Sequence, residues 1–213
     1  MIEAFISAFA TLFVVIDPPG CAPIFAGLTA GATEAHRRAM ALRAVFVAAI
    51  ILVLFALFGR ALLNGLGISL YSFRIAGGIM LFLIALDMVF EKRTERREDR
   101  AEKLKAEPVV DVSVFPMAMP MIAGPGSIAS VMLLMSHSDT YQDQAIVFGA
   151  LAVILVLTLV ALLAAGPIMR IVGAKIEAVI SRLLGVLLAA LATQFVIDGI
   201  RAALVAARAA GVH

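Results

Sequence analysis

Apolar residues run almost unbroken through six stretches of the chain, roughly 3–28, 40–63, 72–90, 110–136, 145–168 and 181–205. Each is long enough to cross a bilayer as a helix, which takes about 20 residues. The connections are short except for Glu91 to Glu107, a dense mixed-charge segment whose alternating signs at helical spacing suggest a solvated helical extension. The pattern predicts an all-α polytopic membrane protein with six transmembrane helices.

Two stretches are interrupted. Asp17-Pro18-Pro19-Gly20 breaks the first near its middle, and Ala123-Gly124-Pro125-Gly126 breaks the fourth. Proline removes a backbone donor and glycine frees the chain to leave helical angles. In hydrocarbon such a break survives only where protein or a water-filled cavity satisfies the loosened backbone. Paired breaks in two halves point to a transporter's binding site.

Composition agrees with the pattern. Of 213 residues, 63% are hydrophobic and 15% charged, and mean hydropathy is +1.07. Trp is absent, and the two tyrosines, Tyr71 and Tyr141, fall at expected span ends, where interfacial aromatics belong. The lone cysteine, Cys21, excludes an intramolecular disulfide and a cysteine-based metal cluster. Met1-Ile2-Glu3 lacks the basic start of a signal peptide, so the first stretch is expected to remain as a span. Gly20-Cys21 faintly suggests a lipoprotein cleavage box, against which the preceding prolines and the missing basic start argue.

Basic residues gather after the odd-numbered spans: Arg37, Arg38 and Arg43, then the series from Lys92 to Lys105, then Arg170, Lys175 and Arg182. By the positive-inside rule that side is cytoplasmic and both termini lie outside. The location expected is a bacterial or archaeal cytoplasmic (inner) membrane.

The halves also match in sequence. Phe13 to Gly20 can be laid on Met119 to Gly126, and Arg74-Ile75-Ala76-Gly77 on Arg182-Leu183-Leu184-Gly185 at nearly the same offset. Three spans per half place the second half upside down, an inverted repeat. The expected organisation is 1–90 as the first three-helix repeat, 91–108 as a charged cytoplasmic loop and 109–213 as the second repeat, forming one membrane domain with broken first and fourth helices.

The chemistry concentrates at the breaks. A carboxylate at Asp17 lies about 20 Å into the first span at about 1.5 Å per residue, where a charge costs a few kcal/mol or more. Asp17 could bind a proton, a sodium ion or a substrate ammonium, or it could cap the half-helix that resumes after Pro19. Unwound helices offer carbonyls to a cation and amides to an anion. Two facing breaks could hold both ends of a zwitterion, with Gly20, Gly124 and Gly126 admitting close approach and Ser127 adding a hydroxyl. Thr193 and Gln194, near the centre of the sixth span, are candidate cavity residues. Thr158 could bond back to its own helix. Asp87 and Asp198 read as interfacial, and Arg74 and Arg182 as snorkelling. No Walker loop, His-Glu-x-x-His or Cys/His cluster is present.

Ile16-Asp17-Pro18-Pro19-Gly20, with Pro23-Ile24-Phe25 and Leu28-Thr29, resembles the first-span signature of MarC-type membrane proteins. Phe115-Pro116-Met117-Ala118-Met119-Pro120-Met121-Ile122-Ala123-Gly124-Pro125-Gly126-Ser127-Ile128 resembles that family's fourth-span signature. The spacing, the six spans and the charged central loop agree over nearly the whole chain. Some members of the family are transporters of glycine and alanine. The resemblance therefore implies a secondary transporter of small neutral amino acids, working by alternating access and coupled to sodium or protons. The family often has Asn where this chain has Cys21. The site expected comprises Asp17, Pro19, Gly20, Cys21, Gly124, Pro125, Gly126, Ser127, Thr193 and Gln194, with Asp17 as the candidate sodium or proton site.

No catalytic residue and no cofactor beyond a coupling ion are expected. The expected partners are a small zwitterionic substrate and the lipid bilayer, with no nucleic acid; self-association is left open. The alternatives are an exporter or channel for another small solute and, from a different class, an intramembrane enzyme.

Overall fold

The computed structural model describes residues 2–29, 31–90, 111–138 and 140–209, and for 166–178, 180–181 and 209 the backbone alone. The charged segment Glu91 to Glu107 lies outside the described residues. The elements are α1 (Ile2–Ile16), α2 (Pro18–Leu28), α3 (Glu34–Gly65), α4 (Leu70–Val89), the irregular wide-turn segment α5 (Ser113–Ile122), α6 (Pro125–Ser136), α7 (Tyr141–Leu163) and α8 (Ala165–Ala209). Among the described residues there is no strand.

Among the described residues, five spans are long and apolar enough to cross a membrane, and a sixth arises if the bent pair α5–α6 counts as one. Large apolar side chains on the outer surface, such as Phe46, Leu54, Phe58 and Val156, are exposed, as lipid-facing residues are.

The helices start where short polar residues can cap them. Thr33 accepts from the His36 amide at 3.3 Å, Ser69 from Ser72 at 3.1 Å, and Thr140 from Asp143 at 3.1 Å. The Thr33 cap starts α3 well before its apolar run, expected from residue 40. A larger departure lies at α8, where the backbone is already helical from Ala165. The stretch with Arg170 and Lys175, expected as part of a loop, is helical in its backbone, and α8 is about 68 Å long at 1.5 Å per residue. Hydrophobicity marks only the part of such a helix that lies in lipid.

The most extensive helix contact is between α4 and α8. A Cβ on Gly78 would meet the Ala192 carbonyl at 2.8 Å, and one on Gly185 the Ala85 carbonyl at 3.1 Å. Ascending positions in α4 thus meet descending positions in α8, so the pair is antiparallel, and glycine lets the backbones approach. Elsewhere α1 and α2 pack on α7, as α5 and α6 pack on α3; α2 packs on α8, as α6 packs on α4.

At the start of α5, Asp111 pairs with Arg43 of α3. The Ser113 side chain and amide, the latter donating at 3.0 Å, together with the Arg43 charge, hold the Asp111 carboxyl below its ordinary range.

Candidate functional site

Pro18 and Pro19 have no amide with which to continue the ladder to the carbonyls four residues back. The next amide, Gly20 N–H, is turned aside to the Asp17 carboxylate at 3.1 Å. Asp17 itself is buried and left-handed, φ 58° and ψ 65°, a conformation that Asp tolerates better than most residues. A Cβ on Gly20 would lie 2.2 Å from Asp17 Oδ2. Only glycine therefore lets this carboxylate sit as a cap.

The break is narrow. Asp17 N donates to the Phe13 carbonyl at 2.9 Å, and Cys21 N to the Asp17 carbonyl at 3.0 Å. With one residue out of line, α1 and α2 together still form a single span, Ile2–Leu28. The fully buried Cys21 thiol donates to the Ile16 carbonyl at 3.5 Å. Cys21 thus partners an acceptor that the diverted Gly20 amide would have served.

The second break is wider. Phe115 and Met119, each preceding a proline, are extended, the conformation that proline imposes on its predecessor. Both X-Pro bonds here are cis. Between them the chain closes wide turns, Met117 N to the Val112 carbonyl at 3.2 Å and Ala123 N to the Ala118 carbonyl at 2.8 Å. Gly124 then redirects the chain by 52° into α6, and a Cβ there would lie 2.3 Å from the Pro120 carbonyl oxygen. No side chain caps α6, although Gly126 and Ser127 of its first turn are buried; Pro125 is exposed.

The two breaks adjoin. Ile16, Cys21 and Ala22 share one core cluster with Met121, Ile122 and Ala123. A Cβ on Gly126 would meet Val15 Cγ1 at 3.3 Å. The structure brings Asp17, Gly20 and Cys21 into one region with Gly124, Gly126 and Ser127. Thr193 and Gln194 lie apart from it. Thr193 is exposed and donates to its own Ala189 carbonyl at 2.8 Å, and Gln194 donates to Asp198 at 2.9 Å. Thr158 also bonds back, to Ile154 at 2.8 Å. Among the described residues, no three His, Cys, Asp or Glu gather as a metal site requires.

Gln194 instead lines a cavity of about 310 Å³ between the N-terminal part of α1, the end of α6, the start of α7, and α8. Thr11, His137, Asp143, Phe195 and Asp198 also line it. Asp198, expected at an interface, shares this cavity with His137, which the sequence did not show. Ser7 with Thr11, and Gln194 with Asp198, were the available signals, because polar pairs four apart in apolar helices mark one face.

Arg74 does not simply reach toward head groups. It is half-buried, and its guanidinium donates to the Ser136 hydroxyl and carbonyl at 3.4 Å. Its charge thus sits at the C-terminal end of α6, where a cation is favoured.

Sequence comparison accords with this architecture. The family model for MarC family integral membrane proteins matches residues 2–204. A UPF0056 membrane protein of Methanocaldococcus jannaschii is 37% identical over 203 residues, covering 95% of this chain and 98% of that protein. The UPF0056 membrane protein YvbG of Bacillus subtilis is 34% identical, covering 94% and 96%, and YhcE of Escherichia coli 34%, covering 91% and 90%. No solved structure matches the chain. With a family match over nearly its full length and relatives of this similarity in bacteria and archaea, the chain belongs to the MarC family of integral membrane proteins.

Proposed function

We propose that this protein is a secondary transporter of small neutral amino acids, such as glycine and alanine, working by alternating access and coupled to sodium or protons. The observation that carries the reading is the buried start of α6, which no side chain caps, set beside the Asp17 break. A buried helix terminus needs partners for its amides, and a helix N-terminus favours an anionic group. A substrate carboxylate meets both demands.

Alternating access calls for two related halves, and the packing supports an inverted repeat. The pairs α1–α7 and α5–α3, α2–α7 and α6–α3, and α2–α8 and α6–α4 exchange under one interchange of halves. The antiparallel α4–α8 contact maps onto itself under that interchange. Gly78 against Val196 answers Gly185 against Met88, within one residue, at the offset that separates Arg74 from Arg182.

In this reading the basic side is cytoplasmic, both termini lie outside, and the membrane is the cytoplasmic one. Uptake of labelled glycine and alanine into proteoliposomes, with and without sodium and proton gradients, tests the proposal. Gradient-driven uptake is expected, and its absence with folded protein would remove the amino acid assignment.

A further inference from the structure

Arg74 and Arg182 occupy matching places at opposite ends of the bundle. Arg74, near the start of α4, is half-buried, and its guanidinium donates to the Ser136 hydroxyl and carbonyl at 3.4 Å. The α4–α8 pair is antiparallel, so Arg182 of α8 stands at the other end, where it is exposed. There α8 packs on α2 as α4 packs on α6. At the offset that separates Arg74 from Arg182, Thr29 answers His137, the neighbour of Ser136. Thr29 caps the end of α2 as His137 caps the end of α6. Thr29 is buried, and its hydroxyl donates to the Phe25 carbonyl at 2.7 Å, as that of Ser136 donates to the Leu133 carbonyl at 2.7 Å. Both broken spans thus end in a buried hydroxyl at a helix C-terminus, where a cation is favoured.

The Arg74 clasp stands beside the cavity at its end of the bundle, which Thr11 of α1 and Leu134 of α6 help to line. None of its described lining residues belongs to a break. One turn nearer the breaks, Ser130 of α6 and Val15 of α1 are buried. Further in, α4 meets α6 through apolar groups, Gly77 against Leu133 and Ala129. Packed apolar helices can slide past one another, whereas a swing of the Ser136 end of α6 away from α4 must break the charge-assisted hydrogen bonds of Arg74.

We infer that Arg74 and Arg182 are paired gate latches. Arg74 on Ser136 holds closed the end where α1 begins. Arg182 on the Thr29 end of α2 closes the opposite end when the first one opens. The clasps are made in turn, so the breaks communicate with one face at a time. What passes the gates rests on the transport reading; the latches themselves are read without a substrate.

Cys21, the chain's one cysteine, is fully buried at the first break and reports opening. Right-side-out and inside-out membrane vesicles carrying the full-length chain are treated with a charged, membrane-impermeant methanethiosulfonate, with Cys21→Ser as the blank. Arg74→Ala should speed Cys21 modification by about tenfold or more from the face where α1 begins, and slow it from the opposite face. Arg182→Ala should do the reverse. Where an alanine variant fails to fold, the lysine variant decides. It keeps the charge without the guanidinium's fork of donors, and should shift labelling in the same sense by a smaller factor. Unchanged labelling in either folded variant, or faster labelling at both faces as from a loosened bundle, would overturn the latches. Opposed shifts without amino acid uptake would keep the latches and remove the substrate assignment; uptake with labelling unmoved would do the opposite.

Discussion

Val15 and Gly126 meet where the two broken spans touch: a Cβ on Gly126 would stand 3.3 Å from Val15 Cγ1 and 2.6 Å from Ile84 Cδ1. These neighbours are side-chain ends and can give way. At Gly124 the obstacle is the Pro120 carbonyl, 2.3 Å away in the backbone. Gly124→Ala should therefore destabilise more than Gly126→Ala, which should cost about 1–3 kcal/mol as overpacking does. Gly149→Ala, with nothing within 4 Å, is the control. Thermal unfolding in one detergent ranks the three, and an equal loss at both break glycines would refute the ordering.

Asp17 has a cap to lose. Asp17→Asn keeps an acceptor and a residue tolerant of the left-handed conformation, so stability should change by only a few tenths of a kcal/mol. Asp17→Ala loses the cap and must hold the same conformation, at a cost of about 1–2 kcal/mol. Where Asp17→Asn folds normally, ion dependence of transport reads its chemistry. Lost coupling with retained exchange assigns it the coupling ion, and unchanged coupling leaves it a cap alone.

Arg74 closes the end of α6 through Ser136. Arg74→Ala should lower stability by about 1–3 kcal/mol, the range for a hydrogen bond to a charged group. Ser136→Ala should cost less, because the Ser136 carbonyl still accepts. Unfolding midpoints that fall equally for both would place the effect in the hydroxyl.

Asp111 makes stability depend on pH only in acid. Its folded pKa lies below the ordinary 3.8, so its contribution is present above that value and is lost as pH falls through the folded pKa. Asp111→Asn should flatten the fall in stability below pH 3.8 and leave the neutral region's slope unaltered. An altered slope between pH 6 and 8, about two units or more above any such titration, would contradict this assignment.

Much of the fold was legible because lipid imposes a simple rule: apolar runs become spans. The extension of α3 to Glu34 and the helical backbone around Arg170 escaped it, since helix outside the hydrocarbon needs no apolar signature. The breaks were legible as proline and glycine, but their widths were not. Asp17 was readable both as cap and as ligand; only the geometry shows it taking the Gly20 amide and keeping the span whole. Cys21 had no readable role until the Ile16 carbonyl appeared beside its thiol. The cavity was hidden because Thr11, His137, Asp143 and Asp198 come from four different helices or their ends. Their meeting depends on packing that no local pattern states.

Counterflow tests the central claim most directly. Proteoliposomes preloaded with unlabelled L-alanine are diluted into trace labelled L-alanine, with no ion gradient imposed. A carrier that alternates between two accessible states predicts a transient overshoot of label, abolished when the preloaded alanine is omitted. Label that only equilibrates at a rate indifferent to the preload would contradict alternating access and indicate a channel; no entry at all would remove alanine as the substrate.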